Sequence, residues 1–297
     1  MVRMNARSRS VTAAIRRLGR VVRISLIGLV AWVTVALSPA FAATPPDASS
    51  LPTSDADKAA LMEQLDGLYQ QALQATNQQD FPQAEQFWTQ MLDLFPQNPA
   101  VWSNRGNSKV SQNKLQEAIA DFNQAIALAP DAPDPYLNRG AAYEGIGQWE
   151  AAIADYNHVL DLDPKDPVAY NNRGSAEMGL GQWESAIADF QHAADLAPDY
   201  AFARANQAIA LYQAGQTEEA MRMMRNLVRK YPKFADMRAA LTAALWVNGR
   251  QGEAESEWVA AVGLDSRYRN VDWLRTIRRW PPALVTAMEK FLTLKSS

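Results

Sequence analysis

The sequence contains no cysteine and only two histidines, His158 and His192. Without cysteine the chain has no disulfide, no thiolate nucleophile and no thiol redox centre. The usual ligands of a structural zinc site are missing for the same reason. We therefore expect a fold held together by apolar packing, which the 48% of hydrophobic residues can supply, and we expect no cofactor.

Positive charge is scarce beyond the start of the chain. Residues 1–23 hold seven arginines and no acidic residue, and residues from 43 onward hold 22 Lys and Arg against 32 Asp and Glu, a net charge of −10. Binding to nucleic acid needs a basic surface that displaces counterions from the phosphates. The acidic balance therefore argues against nucleic acid as a partner.

Residues 1–42 have the three-part layout of a signal peptide. An arginine-rich start leads into an apolar run at 24–37, and a small-residue Ala-Phe-Ala signature ends at Ala42. The 14 residues of the run span about 21 Å as a helix, which is less than the roughly 30 Å of a bilayer's hydrocarbon core. This length favours cleavage after Ala42 and export of the protein.

An uncut signal anchor remains the alternative, because residues 24–43 would just cross a bilayer with the arginines held on the cytoplasmic side. In that case the protein associates with a membrane through its N-terminal segment.

Residues 43–57 are rich in Pro, Ser, Thr, Ala and Asp and lack apolar periodicity. We predict that they form a flexible spacer.

The rest of the chain repeats itself with a period of 34 residues. One column of the repeat is alanine at every step: Ala84, Ala118, Ala152, Ala186, Ala220 and Ala254. A second column is small, as expected for two helices packed closely in a hairpin, and a third is bulky and apolar and should fill the gaps between successive hairpins. The small column contains Ala72, Gly106, Gly140, Gly174, Ala208 and Thr242, and the bulky column contains Trp88, Phe122, Tyr156, Phe190, Met224 and Trp258.

Helix-breaking residues recur with the same period. The column that ends the first helix of each hairpin favours a left-handed backbone, and a proline column closes each repeat. Asn98-Pro99 and Asp166-Pro167 are typical of an N-cap followed by proline in the first turn of a helix. The first column holds Asn113, Gly147, Gly181, Gly215 and Gly249, and the second holds Pro96, Pro130, Pro164, Pro198 and Pro232.

These columns, together with the runs Asn-Arg-Gly-Ala-Ala-Tyr at 138–143 and Gly-Gln-Trp-Glu-Ala-Ala-Ile at 147–153, closely resemble the tetratricopeptide repeat family. The resemblance implies an all-α fold, a right-handed superhelical solenoid of six helical hairpins over 58–268 with a C-terminal capping segment at 269–297. It also implies that a partner polypeptide binds along the concave surface formed by the first helices of the hairpins, which we call the first-helix wall. The six predicted repeats are 65–98, 99–132, 133–166, 167–200, 201–234 and 235–268.

Arginine and aspartate recur together in the three central repeats and disappear together from the later ones. We predict an ion pair between the two helices of each of these hairpins, worth about 1 kcal/mol if it is mostly exposed. The alternative, that the arginines bind a ligand, is weaker because each already has a partner 16 residues away. The predicted pairs are Arg105 with Asp121, Arg139 with Asp155, and Arg173 with Asp189.

A column of four asparagines precedes the arginine column on the first helices. A carboxamide carries both a donor and an acceptor, which suits recognition of a peptide backbone. The alternative is that these asparagines form hydrogen bonds within the solenoid, and the sequence leaves both interpretations open. The predicted partner-binding residues are Asn104, Asn138, Asn172 and Asn206, with Asn107, Ser175, Tyr212 and Trp246 on the same wall.

The segment 269–297 carries apolar residues at helical spacing on both sides of Pro281-Pro282. It predicts two helices that cap the open end of the core. The arginines at 267–279 leave a docking patch as the alternative. The segment is also similar to the tails of tetratricopeptide proteins of cyanobacteria and chloroplast thylakoids.

We therefore expect a non-catalytic scaffold that binds a protein or peptide in the periplasm or the thylakoid lumen and assists assembly of a membrane complex such as a photosystem. The assembly role rests on the resemblance and not on site chemistry. An enzyme is the rival hypothesis. It has little support, because the repeats use most of the chain and both histidines fall on a second helix, where we expect them to be solvated.

Overall fold

The structure, a computed structural model, describes residues 54–295, and all regular secondary structure within them is helical. The predicted signal peptide and most of the predicted spacer lie outside these residues. The helices are α1 (Asp55–Asn77), α2 (Phe81–Leu94), α3 (Pro99–Ser111), α4 (Leu115–Leu128), α5 (Pro133–Gly145), α6 (Trp149–Leu162), α7 (Pro167–Gly179), α8 (Trp183–Leu196), α9 (Ala201–Gln213), α10 (Thr217–Lys230), α11 (Ala235–Val247), α12 (Gln251–Leu264), a 3₁₀ turn η1 (Ser266–Arg269), α13 (Val271–Thr276) and α14 (Pro282–Lys295).

The helices α1–α12 alternate as the first and second helices of the six predicted repeats. They belong to two compact units, residues 54–148 and 149–295. Each helix of a unit packs against the next one along the chain, as expected for helices joined by short turns. Among the described residues, no helix is both long enough and apolar enough to cross a membrane.

In the first unit the core lies between α1, α2 and α3. Trp88 of α2 is fully buried and meets the ring of Tyr69 edge-on at 5.7 Å. Ala72 and Ala84, from the small and alanine columns, are fully buried beside them. The small side chains let α1 and α2 approach closely, and the tryptophan fills the remaining space.

The second unit has its largest core at the C-terminal end, where α9–α12 meet α13 and α14. Met224 and Met237 are fully buried there, as are Leu274, Met288 and Phe291 from the last two helices. The two helices predicted on either side of Pro281-Pro282 are therefore present. They form part of the core of this unit.

The turn chemistry read from the repeat columns is confirmed. Asn113 has φ 61° and the four glycines of the same column have φ between 74° and 80°, so the first helices end in the left-handed conformation that the column predicts. Asn98 caps α3 by accepting from the backbone N–H of Ala100 at 3.0 Å. Asp166 caps α7 in the same way, accepting from Val168 at 2.7 Å.

The predicted spacer at 43–57 extends too far. Ser54 accepts a hydrogen bond from the backbone N–H of Asp57 at 3.1 Å and so acts as an N-cap. Helix α1 therefore begins at Asp55, ten residues before the predicted start of the first repeat at 65. A local capping bond outweighs the lack of apolar periodicity in this stretch.

The bulky column packs within its own hairpin as well as between successive hairpins, where Phe190 shares a buried cluster with Ala210 of α9. A Cβ atom built on Gly106 of α3 would lie 2.7 Å from Phe122 of α4, and one on Gly174 of α7 would lie 2.9 Å from Phe190 of α8. Each aromatic ring thus rests on the glycine of its own hairpin. The small and bulky columns are two sides of one contact.

Candidate functional site

The predicted partner-binding residues of the first unit are buried. Asn104, Asn107 and Asn138 are each 1% exposed. Both side-chain atoms of Asn138 lack a hydrogen-bond partner among the described residues. A buried carboxamide without partners costs about 1–3 kcal/mol, so this position carries hydrogen-bonding capacity that the fold leaves unused.

In the second unit the asparagines of α7 and α9 form a chain of hydrogen bonds. Asn206 donates from Nδ2 to Oδ1 of Asn171 at 3.0 Å, and Asn171 donates to Oδ1 of Asn172 at 3.2 Å. Asn172 is fully buried, whereas Asn206 and Ser175 are half-buried. The hydrogen-bonding role that the sequence left as an alternative is therefore present here, and Asn171 belongs to the network although the asparagine column omits it.

Two predicted partner-binding residues, Tyr212 and Trp246, are part of the C-terminal core instead. Tyr212 is 8% exposed, and Trp246 meets the ring of Phe291 edge-on at 5.0 Å. The reason is that α14 packs on the first helices α9 and α11. This part of the first-helix wall is packed against the chain's own C-terminal helix, which weighs against the prediction that these two side chains contact a partner.

Two of the three predicted ion pairs are present, and both are bidentate. Arg105 donates from Nε and Nη2 to the carboxylate of Asp121, with both distances at 2.8 Å. Arg173 binds Asp189 in the same way at 2.6 and 2.8 Å. The Asp121 side chain is only 4% exposed, so the value of about 1 kcal/mol for a mostly exposed pair does not apply to it. The pair of Arg139 with Asp155 stays a prediction.

Each arginine of this column also binds the second helix of the preceding hairpin. Arg105 Nη1 donates to Thr89 at 3.4 Å, Arg139 Nη1 to Asn123 at 2.6 Å and Arg173 Nη1 to Asn157 at 2.7 Å. The acceptors lie 16 residues before each arginine, as the aspartates lie 16 residues after it. The polar residues at these acceptor positions form a column of their own in the sequence, and that column could have predicted the hydrogen bonds between successive repeats.

The arginines at 267–279 are mostly used within the protein, which weighs against the docking patch. Asp236 accepts hydrogen bonds from Arg278, from the Tyr268 hydroxyl at 3.0 Å and from Trp280 Nε1 at 3.2 Å. Arg275 pairs with Asp272 at 2.9 Å. The buried carboxylate of Asp236 thereby fixes the segment that leads into α14.

The two histidines lie on second helices, as the repeat columns place them. His192 is exposed and its ring lies 4.3 Å from that of Tyr170 at a tilt of 59°, and His158 is half-buried. Within residues 54–295 no group of three or more His, Asp or Glu side chains is arranged to hold a metal ion.

The repeated hairpins and the first-helix wall define a helical-repeat protein. Residues 106–147 and 146–179 match a family model described as TPR repeat, and residues 177–245 match one described as tetratricopeptide repeat. The hairpins within residues 106–245 are therefore similar to tetratricopeptide repeats. No curated protein matches the sequence.

Several solved structures share the fold. A tetratricopeptide repeat protein from Parabacteroides merdae superposes with a TM-score of 0.60 at 21% identity, over 79% of this chain and 87% of that one. Pseudomonas aeruginosa pilF gives 0.59 at 15% identity, over 70% of this chain and 94% of that one. A thermophilic TPR protein from Thermus thermophilus gives 0.53 at 18% identity, over 61% and 99%. At these identities the likeness shows the fold alone.

Proposed function

We propose that this protein is a non-catalytic scaffold that binds a partner polypeptide on the first-helix wall. Tetratricopeptide repeats are suited to protein–protein interaction, because stacked hairpins present one continuous series of side chains to a partner. In this chain α14 covers the wall at Tyr212 of α9 and at Trp246 of α11, and the rest of α9 stays available. We therefore assign partner contact in the second unit to α7 and to the half-buried residues next to it.

The observation that carries the proposal is the fixed carboxamide of Asn206. Its Nδ2 group donates to Asn171, which holds the amide in one orientation, and its Oδ1 atom has no donor among the described residues. A fixed acceptor of this kind suits the backbone N–H of a bound peptide. The half-buried hydroxyl of Ser175, which donates to the backbone of Asn171 at 3.1 Å, provides a second acceptor on the same helix as Asn171.

A selection of peptides against the protein without residues 1–42 tests this proposal. Substitution of Asn206 by Ala removes the acceptor, and we expect the selected peptides to bind about three- to tenfold more weakly, the value of one net hydrogen bond. Asn226→Ala is the matched control, because Asn226 is an exposed asparagine on the second helix α10. Peptides that bind both variants as tightly as the original protein would remove the wall of the second unit as the binding site.

We further propose that the protein acts outside the cytoplasm, in the periplasm or the thylakoid lumen, as an assembly factor for a membrane complex. The arginine-rich start, the apolar run at 24–37 and the signature ending at Ala42 support export. Edman sequencing of the native protein should give a mature start at Ala43. A start before residue 40 would contradict cleavage.

The uncut anchor is the second candidate, and the apolar stretch at 24–43 favours it. In that case the scaffold is held at a membrane and organises partners there. Carbonate washing of native membranes separates the two candidates. A cleaved scaffold is released by the wash, and an anchored one stays in the membrane pellet.

A further inference from the structure

Lys109 and Glu177 occupy the same column of the repeat, 68 residues apart, on the first helices α3 and α7. In the second repeat Lys109 Nζ lies 2.9 Å from Oδ2 of Asp121, which also binds Arg105. The aspartate of that hairpin therefore has two cations. This arrangement is the reference for the fourth repeat.

In the fourth repeat the bidentate pair of Arg173 and Asp189 is retained, but the column position holds the carboxylate of Glu177. Glu177 is half-buried, and its Oε2 atom is buried without a hydrogen-bond donor among the described residues. The charges of two carboxylates thus act on one guanidinium, which of these two binds only Asp189, where the second repeat has one carboxylate and two cations. Positive groups therefore outnumber negative ones in the second repeat, and negative groups outnumber positive ones in the fourth.

The surroundings of Glu177 disfavour its ionised form. Burial raises the pKa of Glu177 to about 7, Asp189 of α8 adds to the increase, and Arg173 on its own helix opposes it. These two are the charged groups that act on the carboxyl. The neighbouring helices α6 and α9 contribute neutral groups to the network, Asn157 at Arg173 and Asn206 at Asn171.

We propose that Glu177 makes the α7–α8 hairpin sensitive to protons: the hairpin packs tightly while the carboxyl is protonated, and it loosens when the carboxyl ionises against Asp189. Because α7 also carries Asn171 and Ser175, proton loss would weaken the part of the first-helix wall to which we assign partner contact. That last consequence rests on the proposed function. The loosening of the hairpin does not.

The direction of the pH dependence follows from linkage. The folded state holds the proton of Glu177 more tightly than the unfolded chain, where its pKa has the ordinary value of 4.5. The stabilisation is therefore complete below pH 4.5 and is lost as the pH rises through about 7. Above that pH the loss is constant.

Thermal unfolding of the protein and of Glu177→Gln, measured from pH 4.5 to 8.5, tests the proposal. The glutamine mimics the protonated carboxyl. We expect the variant to match the protein at the acid end and to exceed its Tm by a few degrees above pH 7, with the change centred between these limits. Lys109→Gln is the matched control, since it removes a charge from the same column of the second repeat, and its Tm difference from the protein should stay constant over this range.

Hydrogen exchange locates the effect. At pH 8 the amides of α7 and α8 should exchange roughly three- to tenfold faster in the protein than in Glu177→Gln, and at pH 5 the two should agree. A Tm difference that does not change with pH, or an exchange difference that spares α7 and α8, would overturn the proposal. Neither measurement uses a partner, so a failure here is distinct from a failure of partner binding.

Discussion

Arg105 of α3 donates two hydrogen bonds to the carboxylate of Asp121 of α4, and the same guanidinium donates a third to Thr89 of α2. One side chain therefore fixes the register within a hairpin and the stacking of that hairpin on the one before it. Arg173 repeats the arrangement with Asp189 and Asn157. Because the carboxylates are buried, these pairs are sensitive to the loss of one partner.

We expect Asp121→Asn to destabilise the protein by about 3 kcal/mol, since it leaves Arg105 and Lys109 facing a neutral amide in a buried place. Asp189→Asn should cost less, about 1–2 kcal/mol, because the carboxylate of Glu177 remains near Arg173 and its repulsion by Asp189 is relieved. Urea unfolding measures both variants. Equal losses would show that Lys109 and Glu177 have no influence on their hairpins.

Gly106→Ala should destabilise the protein by about 1–3 kcal/mol. The new methyl group would lie 2.7 Å from the ring of Phe122, which is fully buried, so the ring or the helix must shift. Gly67→Ala is the control within a helix, because nothing lies within 4 Å of its added Cβ atom. That change should instead stabilise α1 by about 0.5–1 kcal/mol. Shifts of the urea midpoint in opposite directions for the two variants would establish that the close approach of α3 to Phe122 makes the added methyl group destabilising.

Gln79→Gly should stabilise the protein. Gln79 has φ 62° in the column where Gly147 and three other glycines have similar values, and the left-handed conformation costs a residue with a side chain about 1–2 kcal/mol. Part of this gain is lost because glycine is freer in the unfolded chain, so we expect a net increase of about 0.5–1 kcal/mol. Differential scanning calorimetry checks it. The reverse change, Gly147→Ala, should lower the Tm.

Phe291→Ala should cost about 3–5 kcal/mol. The ring is fully buried and meets Trp246 at 5.0 Å and Trp258 at 5.1 Å. Loss of the ring should also change the near-ultraviolet circular dichroism of these tryptophans. The control is Thr286→Ala on the same helix, where the side chain is exposed. A small loss for Phe291→Ala would mean that α14 is held loosely on α9 and α11.

Much of the fold follows from the period of the sequence. Alanine and glycine at fixed steps mark where two helices approach, and the left-handed column marks where the first helix must end. Asn98 and Asp166 cap the helices that follow them, as their position before proline predicts. These features depend on residues close together in the chain, so the sequence alone is sufficient to predict them.

The candidate site depended on contacts between distant residues, and there the periodic argument fell short. The 34-residue pattern cannot show that α14 returns to α9 and α11 and covers Tyr212 and Trp246, because the C-terminal segment is not itself a repeat. It also cannot show that Asn171 joins Asn172 and Asn206, since that chain of hydrogen bonds depends on the spacing of neighbouring first helices.

The hairpins, their turns and the pairing of Arg105 with Asp121 therefore follow from the sequence alone, because each of these is set by short-range spacing that recurs along the chain. The side chains of the first-helix wall that stay uncovered, and the position of Glu177 where burial and Asp189 raise its pKa, depend on tertiary packing. The burial and charge environment of a residue depend on everything that packs around it. The repeat pattern predicts the place of a residue within its hairpin, but it does not predict those neighbours.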